Sequence, residues 1–157
     1  MPTLEEKVQR LIDIEDIKIL KHRYAKYCDD NYNPLKISEL FVKDGIWDGG
    51  SLGYAAGRES IKKMFMDTPN LVAYALHSVS NPIIEIDGDE ATGYWYLWQP
   101  MVIKPNDQAL WLIADYEDTF IRVNGEWKFK KLICTPQALS PYEEGFGKVR
   151  FIELSKI

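Results

Sequence analysis

Positive charge is sparse in this chain and nowhere gathered. The 157 residues carry 19 Lys and Arg against 24 Asp and Glu, a net charge of −5, and basic side chains cluster no further than Lys62-Lys63 or Lys128, Lys130 and Lys131. A nucleic-acid surface needs a basic stripe or patch, so that partner class is excluded. Cysteine is also scarce. Cys28 and Cys134 fit no metal or redox spacing and read as free, buried thiols in a reducing compartment. No apolar run approaches the roughly 18 residues of a membrane span, and the opening MPTLEEKVQR lacks the apolar core of a secretory signal. The glycine-rich stretch GGSLGYAAG (49–57) lacks both the Gly-Lys-Ser/Thr ending of a phosphate loop and the GxGxxG spacing. Zinc-ligand spacings and a nucleophile elbow are missing too. These absences leave a cytoplasmic protein without a nucleic-acid or membrane partner.

What is present is apolar and aromatic. Hydrophobic residues make up 46% of the chain, with nine Tyr, five Trp and six Phe. That suits a lined pocket, an oligomer interface or a β-rich core. The length fits one domain, 1–157, with its core over about 8–135 and a C-terminal tail over 136–157 that packs on the pocket or on a neighbouring subunit.

Helical periodicity runs through Leu4, Val8, Leu11, Ile14, Ile17, Leu20, Tyr24 and Tyr27 or Cys28. It predicts a helix from about residue 3 to about residue 29, with a break near Asp13, ended by Asn31 and Asn33-Pro34. Leu35, Ile37, Leu40 and Phe41 form a short second helix; Asp44-Gly45 turns into a strand at Ile46-Trp47-Asp48. Residues 49–57 read as a loop, and Arg58 to Phe65 or Met66 as a third helix stopped by Thr68-Pro69-Asn70.

From residue 71 the period becomes two. LVAYALHSVSNPIIEI is a strand bent at Asn81-Pro82, followed by a hairpin at Asp87-Gly88-Asp89. ATGYWYLWQPMVI is a long strand interrupted at Pro100. ALWLIADYEDTFIRV and EWKFKKLICT flank the strong hairpin signal Asn124-Gly125, and Pro136 ends the last strand. Helices first and an antiparallel meander after them argue α+β. The expected form is a cone-shaped α+β barrel, its N-terminal helices packed on a strongly curved mixed, mostly antiparallel sheet around a pocket.

Two histidines are present. His22 stands between Lys21 and Arg23 and reads as solvent-facing. His77 lies mid-strand with Ala75 and Val79 on its face, either a satisfied core histidine or a base. A base needs an acceptor on its other ring nitrogen, and Asp29 and Asp30 stand at the helix end. Spacing does not choose between them. Asp29 falls off the Leu20–Tyr24–Cys28 stripe, so reaching inward requires the helix to break there. Tyr24 is on the stripe, able to donate a hydrogen bond or merely to pack. Polar positions inside strands are Gln99, Asp115, Glu117 and Asp118, the last sharing a face with Tyr116 and Phe120.

The segments IEDIKILKHRYAKYCDD, ALHSVSNPIIEIDGDEATGYWYL and DYEDTFIRVNGEWKFKK, in this order, resemble the SnoaL-like branch of the nuclear transport factor 2-like superfamily over roughly residues 8–135. Its lyase members include scytalone dehydratase, bile acid 7α-dehydratase and hexachlorocyclohexane dehydrochlorinase. The resemblance implies a deep apolar pocket working without metal or organic cofactor, and a His that takes a proton while an Asp at the first helix end supports it. The matching positions are His77 and Asp29, with Tyr24 at a third site position. Gln99 stands where the bile acid enzyme has an acid, and Leu132 where the dehydrochlorinase has an arginine.

The reading is a dehydratase-like lyase acting on a hydrophobic cyclic or aromatic small molecule. Tyr27, Tyr54, Gln99, Trp47, Tyr116 and Asp118 are its candidate substrate contacts. The alternatives are an isomerase or cyclase working through an enolate, and a non-catalytic binding module. The long aromatic strands (Tyr94, Trp95, Tyr96, Trp98, Trp111) bury one face in the pocket or core and leave the other in need of a partner, which suggests a homo-oligomer, trimer or dimer.

Overall fold

A computed structural model describes residues 1–153 and 155; the last residues of the expected tail, 154, 156 and 157, lie outside the described residues. Helix α1 (Leu4–Asp29) begins at a capping box: the Thr3 hydroxyl accepts from Glu6 N at 3.2 Å, and Thr3 N donates to the Glu6 carboxylate at 2.7 Å. The helix does not break at Asp13. That residue is buried, and its carboxylate accepts from Arg122 at 2.7 and 3.0 Å and from Trp127 Nε1 at 3.2 Å. Leu4, Val8 and Leu11 belong to the predicted stripe yet are exposed. Arg122 bonds both Asp13 and the hairpin at Gly88-Asp89, so the turns before Asp13 project past the end of the sheet. Burial then follows Ile17, Leu20, Tyr24 and Cys28.

Asn33 caps the short α2 (Pro34–Glu39), with proline at its first position. The sheet has seven strands: β1 (Phe41–Asp48), β2 (Tyr54–Ala56), β3 (Val72–Ala75), β4 (Ser78–Asp87), β5 (Glu90–Ile103), β6 (Gln108–Val123) and β7 (Glu126–Pro141). Helix α3 (Arg58–Asp67) buries Ile61 and Phe65, and a one-turn α4 (Gly145–Lys148) follows β7. The order is β2-β1-β7-β6-β5-β3, with β4 also paired to β5; β1 and β7 are parallel and the other pairs antiparallel. This is an α+β fold of helices on a mixed, mostly antiparallel curved sheet.

Four sequence expectations change for local reasons. Asp44-Gly45 lies inside β1, at a register irregularity between Phe41 and Ile46, and the expected loop 49–57 holds the three-residue strand β2. Pro136 does not end β7, because it sits beside a register shift where Ala114 pairs with Pro136 and Ile113 with Ala138; a bulge accommodates proline in a strand. Pro100 does not interrupt β5. Its carbonyl accepts from Leu76 N at 3.1 Å, so its missing N–H faces that same edge, where β3 has ended and β4 has not begun. The ladder loses nothing there.

Period-two burial makes the concave face. Ala91, Trp95, Leu97 and Gln99 of β5 face inward with Leu112, Ala114, Tyr116, Asp118 and Phe120 of β6. On β7 the register shift near Lys130 moves the buried parity from Trp127 and Phe129 to Leu132 and Cys134. The hairpin at Asn124-Gly125 has both residues at positive φ (52° and 80°), as a two-residue turn of this hand requires.

The Arg122 guanidinium beside Asp13 holds that carboxyl below its ordinary 3.8. A depressed folded-state value adds stability that is present above the ordinary value and is lost as pH falls through the lowered one. Asp13→Asn is therefore expected to cost roughly 1.5–3 kcal/mol at pH 7 in urea unfolding, with the gap to the parent shrinking as the pH is taken below about 4.

Candidate active site

The site begins where α1 stops. Asp30 caps the helix, exposed, 3.5 Å from Lys36 and bonded to Asn33. Asn31 and Tyr32 then take left-handed conformations (φ 51° and 53°), and Tyr32 N returns to Cys28 O at 2.9 Å. This reversal swings the Tyr32 ring back under the helix, where it stacks on Phe65 at 6.0 Å and meets the His77 ring edge-on at 5.8 Å.

Asp29 is still helical, so the helix does not have to break for it to reach inward. The sheet edge comes to it instead. His77 is not mid-strand: it occupies the gap between β3 and β4, where its N–H has no ladder partner. That N–H donates to Asp29 Oδ1 at 2.9 Å, and His77 Nδ1 lies 2.8 Å from the same oxygen. A carboxylate can only accept, so Nδ1 carries the proton and Nε2 is left as the ring's basic nitrogen. The imidazole is nearly sealed, its side chain 6% exposed.

His77 lines an interior cavity of about 190 Å³ between α1, α3 and the concave sheet. Four other candidate residues line it as well: Tyr24, Trp47, Gln99 and Tyr116. Its remaining walls are hydrocarbon and thioether, apart from Tyr32, Thr68 and Cys134, and among the described residues no Asp, Glu, Lys or Arg reaches it. Trp47 Nε1 donates to the Tyr24 hydroxyl at 2.8 Å. That bond fixes the phenol and leaves its own proton to donate, with the Cys28 sulfur, a weak acceptor, as the protein alternative. Burial raises the Tyr24 and Tyr116 hydroxyls well above their ordinary value, keeping them protonated, and pushes the Cys134 thiol up to about 12.

Three candidates lie off the cavity. Tyr27 packs beside the core under the Lys36 ammonium, 5.5 Å away. Tyr54 is 61% exposed on the edge strand β2. Asp118 is buried behind the cavity floor, 2.7 Å from Lys21 Nζ, with both side chains fully enclosed. Lys21 had been passed over as a solvent neighbour of His22. Its spacing, four after Ile17 and three before Tyr24, puts it on the buried stripe, and the charge hid that signal. Its ammonium sits 3.2 Å from the centre of the Tyr116 ring. Tyr32 was also missed, because nothing in a sequence announces a left-handed tyrosine. Among the described residues no group of three or more His, Cys, Asp or Glu could hold a metal ion, and no helix is long and apolar enough to cross a membrane.

Known proteins give the arrangement a context. The profile of the SnoaL-like domain matches residues 9–133. A hexachlorocyclohexane dehydrochlorinase (LinA, type 2) superposes with a TM-score of 0.81 at 19% identity, over 86% of this chain and 92% of that one. A scytalone dehydratase-like protein from Novosphingobium aromaticivorans gives 0.80 at 23% identity, over 87% and 91%. A protein with a cystatin-like fold from Nostoc punctiforme gives 0.66 at 24% identity, over 86% and 93%. At these identities the structural likeness establishes the fold.

The Lys21–Asp118 pair sets a stability test. Burial lowers the lysine and raises the aspartate to about 6, so each partner is pushed toward its neutral form. Asp118 Oδ1 is also buried without a hydrogen-bond partner among the described residues. Such a pair is costly to break and no great asset to keep. Lys21→Met and Asp118→Leu are each expected to lose about 3–5 kcal/mol in denaturant unfolding, and the double variant to return to the parent's stability or exceed it.

Proposed function

The chain belongs to the SnoaL-like domain family, and on that premise we propose that it is a cofactor-independent lyase: it removes a small leaving group, as in dehydration, from a hydrophobic cyclic molecule held in the cavity. One observation carries the reading. A single carboxylate oxygen of Asp29 takes both the backbone N–H and Nδ1 of His77, while the ring belongs to an apolar cavity. That is how a neutral imidazole is held as a base. Asp29 fixes the tautomer, and its charge offsets the imidazolium that forms.

Nε2 of His77 takes a proton from a carbon of the substrate. The electron pair of that C–H bond becomes the new double bond, and the leaving group departs with its own bonding pair. The Tyr24 hydroxyl donates to the departing oxygen or halide, its position set by Trp47. Gln99, Trp47 and Tyr116 contact the substrate. The names of two structural neighbours, a dehydrochlorinase and a dehydratase, both denote eliminations. The buried free thiols Cys28 and Cys134 suit a reducing compartment, here the cytoplasm.

The outer sheet face supports assembly with further copies of this chain. Trp98 stands 5.1 Å from Trp111 and 6.2 Å from Phe146, and Trp111 stands 5.7 Å from Tyr142. Trp98, Tyr142 and Phe146 are 43%, 60% and 49% exposed in the single chain.

A panel of hydroxylated and halogenated cyclic compounds, scored by product mass, tests the reaction. Elimination shows as loss of one water or one hydrogen halide, and a product of unchanged mass from every turned-over compound would replace it with isomerisation. Asp29→Asn keeps an oxygen acceptor for both His77 N–H groups and removes only the charge. It should lower turnover about 10²–10⁴-fold with an unaltered unfolding curve; full activity would remove Asp29 from the mechanism. Light scattering should give a dimer or trimer for the parent and the mass of one chain for the variant carrying Trp98→Glu with Tyr142→Glu.

A further inference from the structure

The Lys21–Asp118 pair has no part in the elimination as described, yet the fold goes to some cost to keep it. Both side chains are fully enclosed, with Lys21 Nζ 2.7 Å from Asp118 Oδ2. Two buried polar atoms around the ammonium lack hydrogen-bond partners among the described residues. One is Asp118 Oδ1; the other is the indole nitrogen of Trp95, whose ring centre lies 5.3 Å from Lys21 Nζ. Hydrocarbon of similar volume ordinarily serves stability as well or better in such a place. Sequences break their own folding rules in this way chiefly at functional sites. Placement says what the pair can do. Tyr116 lines the cavity, and neither Lys21 nor Asp118 does. The ammonium sits 3.2 Å from the centre of the Tyr116 ring and 5.2 Å from that of Tyr24, a second cavity residue. Tyr116 therefore stands between the cation and the cavity. Asp118 lies two residues further along β6, past the last of that strand's side chains to line the cavity. The positive end of the pair is thus the end turned to the cavity.

We propose that the Lys21 ammonium, acting through the Tyr116 ring, makes the cavity favour a planar, delocalised anion over its neutral form, and that Lys21 is in this way a positioning residue for the elimination. This deepens the reading of the cavity as an elimination site and rests on it. When Nε2 of His77 takes a proton from carbon, the bonding pair stays on the substrate until the leaving group departs with its own pair. Negative charge builds on the substrate in that interval. Among the described residues no Asp, Glu, Lys or Arg reaches the cavity, so a cation can meet that charge only from behind the wall. An ammonium held against one face of an aromatic ring draws π density toward itself. The opposite face, the one open to the substrate, becomes less negative. Asp118 fixes the ammonium before any ligand arrives, so the charge is met without rearrangement.

Distance bounds the effect. The 3.2 Å to the ring centre plus one van der Waals contact of about 3.5–4 Å puts the ammonium roughly 7 Å from a ligand atom on the open face. At that separation, its attraction less the repulsion of the more distant carboxylate changes an equilibrium constant by about three- to tenfold. Burial pushes Asp118 up to about 6, which leaves it ionised at neutral pH and the pair charged. The cavity volume of about 190 Å³ takes one substituted ring, against roughly 150 Å³ for an apolar cavity that holds benzene.

p-Nitrophenol is the probe, because its phenolate is planar and delocalised and absorbs at longer wavelength than the phenol. Absorbance at neutral pH gives the phenolate-to-phenol ratio of the bound compound. Calorimetry with 4-nitrotoluene, a neutral analogue of the same shape, reports the cavity itself. Two neutral pairs remove the charges and leave His77 and Asp29 untouched. One is Lys21→Met with Asp118→Leu; the other is Lys21→Gln with Asp118→Asn, which keeps hydrogen-bonding groups on both sides of the gap. Each should lower the ratio about three- to tenfold, with 4-nitrotoluene bound as in the parent. On any compound that the elimination panel turns over, each should lower kcat by that factor and leave KM unchanged. A parent-like ratio in a folded pair, or no binding of p-nitrophenol at its solubility limit, overturns the proposal. So does an equal loss of affinity for both probes, which reduces Lys21 to a support for the rings. An active panel beside a parent-like ratio removes Lys21 and keeps the elimination. A lowered ratio beside an inactive panel supports the cavity's preference for the anion and sinks the elimination instead.

Discussion

Two hydrogen bonds converging on one oxygen of Asp29 join the end of the first helix to the edge of the sheet. Leu76 N bonds Pro100 O, so strand alternation turns the next N–H, that of His77, to the outer side of the edge, where no further strand lies and Asp29 meets it. Pro100 lies opposite the gap and has no N–H to offer it, so the break leaves no orphaned donor on β5. A defect in pairing on one strand and a residue unable to pair on the next thus fit each other. The result is an imidazole whose orientation is set from two sides, by its own backbone and by its ring nitrogen. An aspartate one turn earlier would be too deep along the helix to meet the edge. Asp30, one residue later, has already turned to solvent and Lys36.

The same details decide what a sequence could show. Signals written in local chemistry were readable: the helix start near residue 3, the Asn124-Gly125 hairpin, the period-two run from residue 71 and the stop at Asn33-Pro34. Both strand prolines misled, because a proline's effect depends on which edge is free and where a bulge falls, and both are properties of the assembled sheet. The choice of Asp29 was not legible in spacing, since it turns on a sheet edge whose His77 lies 48 residues away; there it came only from the family resemblance. Tyr24 was legible because it lies on the stripe. Lys21 lies on the same stripe and was missed because a lysine is ordinarily read as solvent-facing, which fails when the opposite charge is supplied by a strand. The exposed Leu4, Val8 and Leu11 show the converse, that periodicity marks a face but not whether a partner reaches it.

Behind the cavity floor the fold keeps a full ion pair where hydrocarbon would do. Lys21 rests on Tyr116 and lies within 5.2 Å of the Tyr24 ring centre, so the cation is solvated partly by the faces of rings that also line the cavity. An arrangement of this kind adds little net stability, but it restricts how those rings can sit, since each must keep its face to the ammonium. Tyr24 is then fixed twice, by the cation on its ring and by Trp47 at its hydroxyl. Tyr32 is fixed between two rings. Part of the rigidity of the cavity wall thus comes from a charge that lies behind it.

On the proposed reading, substrate selection falls to the wall and not to the dyad. A histidine supported by an aspartate will take a proton from any carbon acid placed against it, so structural neighbours that remove different groups need not share a pocket. Among the described residues no ionised side chain reaches the cavity, and beyond His77 and Tyr24 its polar groups are those of Tyr32, Trp47, Thr68, Gln99, Tyr116 and Cys134. A base in apolar surroundings can remove a carbon-bound proton only if the resulting negative charge is met at once by a donor that needs no rearrangement. The His77 ring is held before any ligand arrives, by Asp29 at its Nδ1 and by the edge-on ring of Tyr32, and the left-handed backbone at Tyr32 is what makes that ring contact possible.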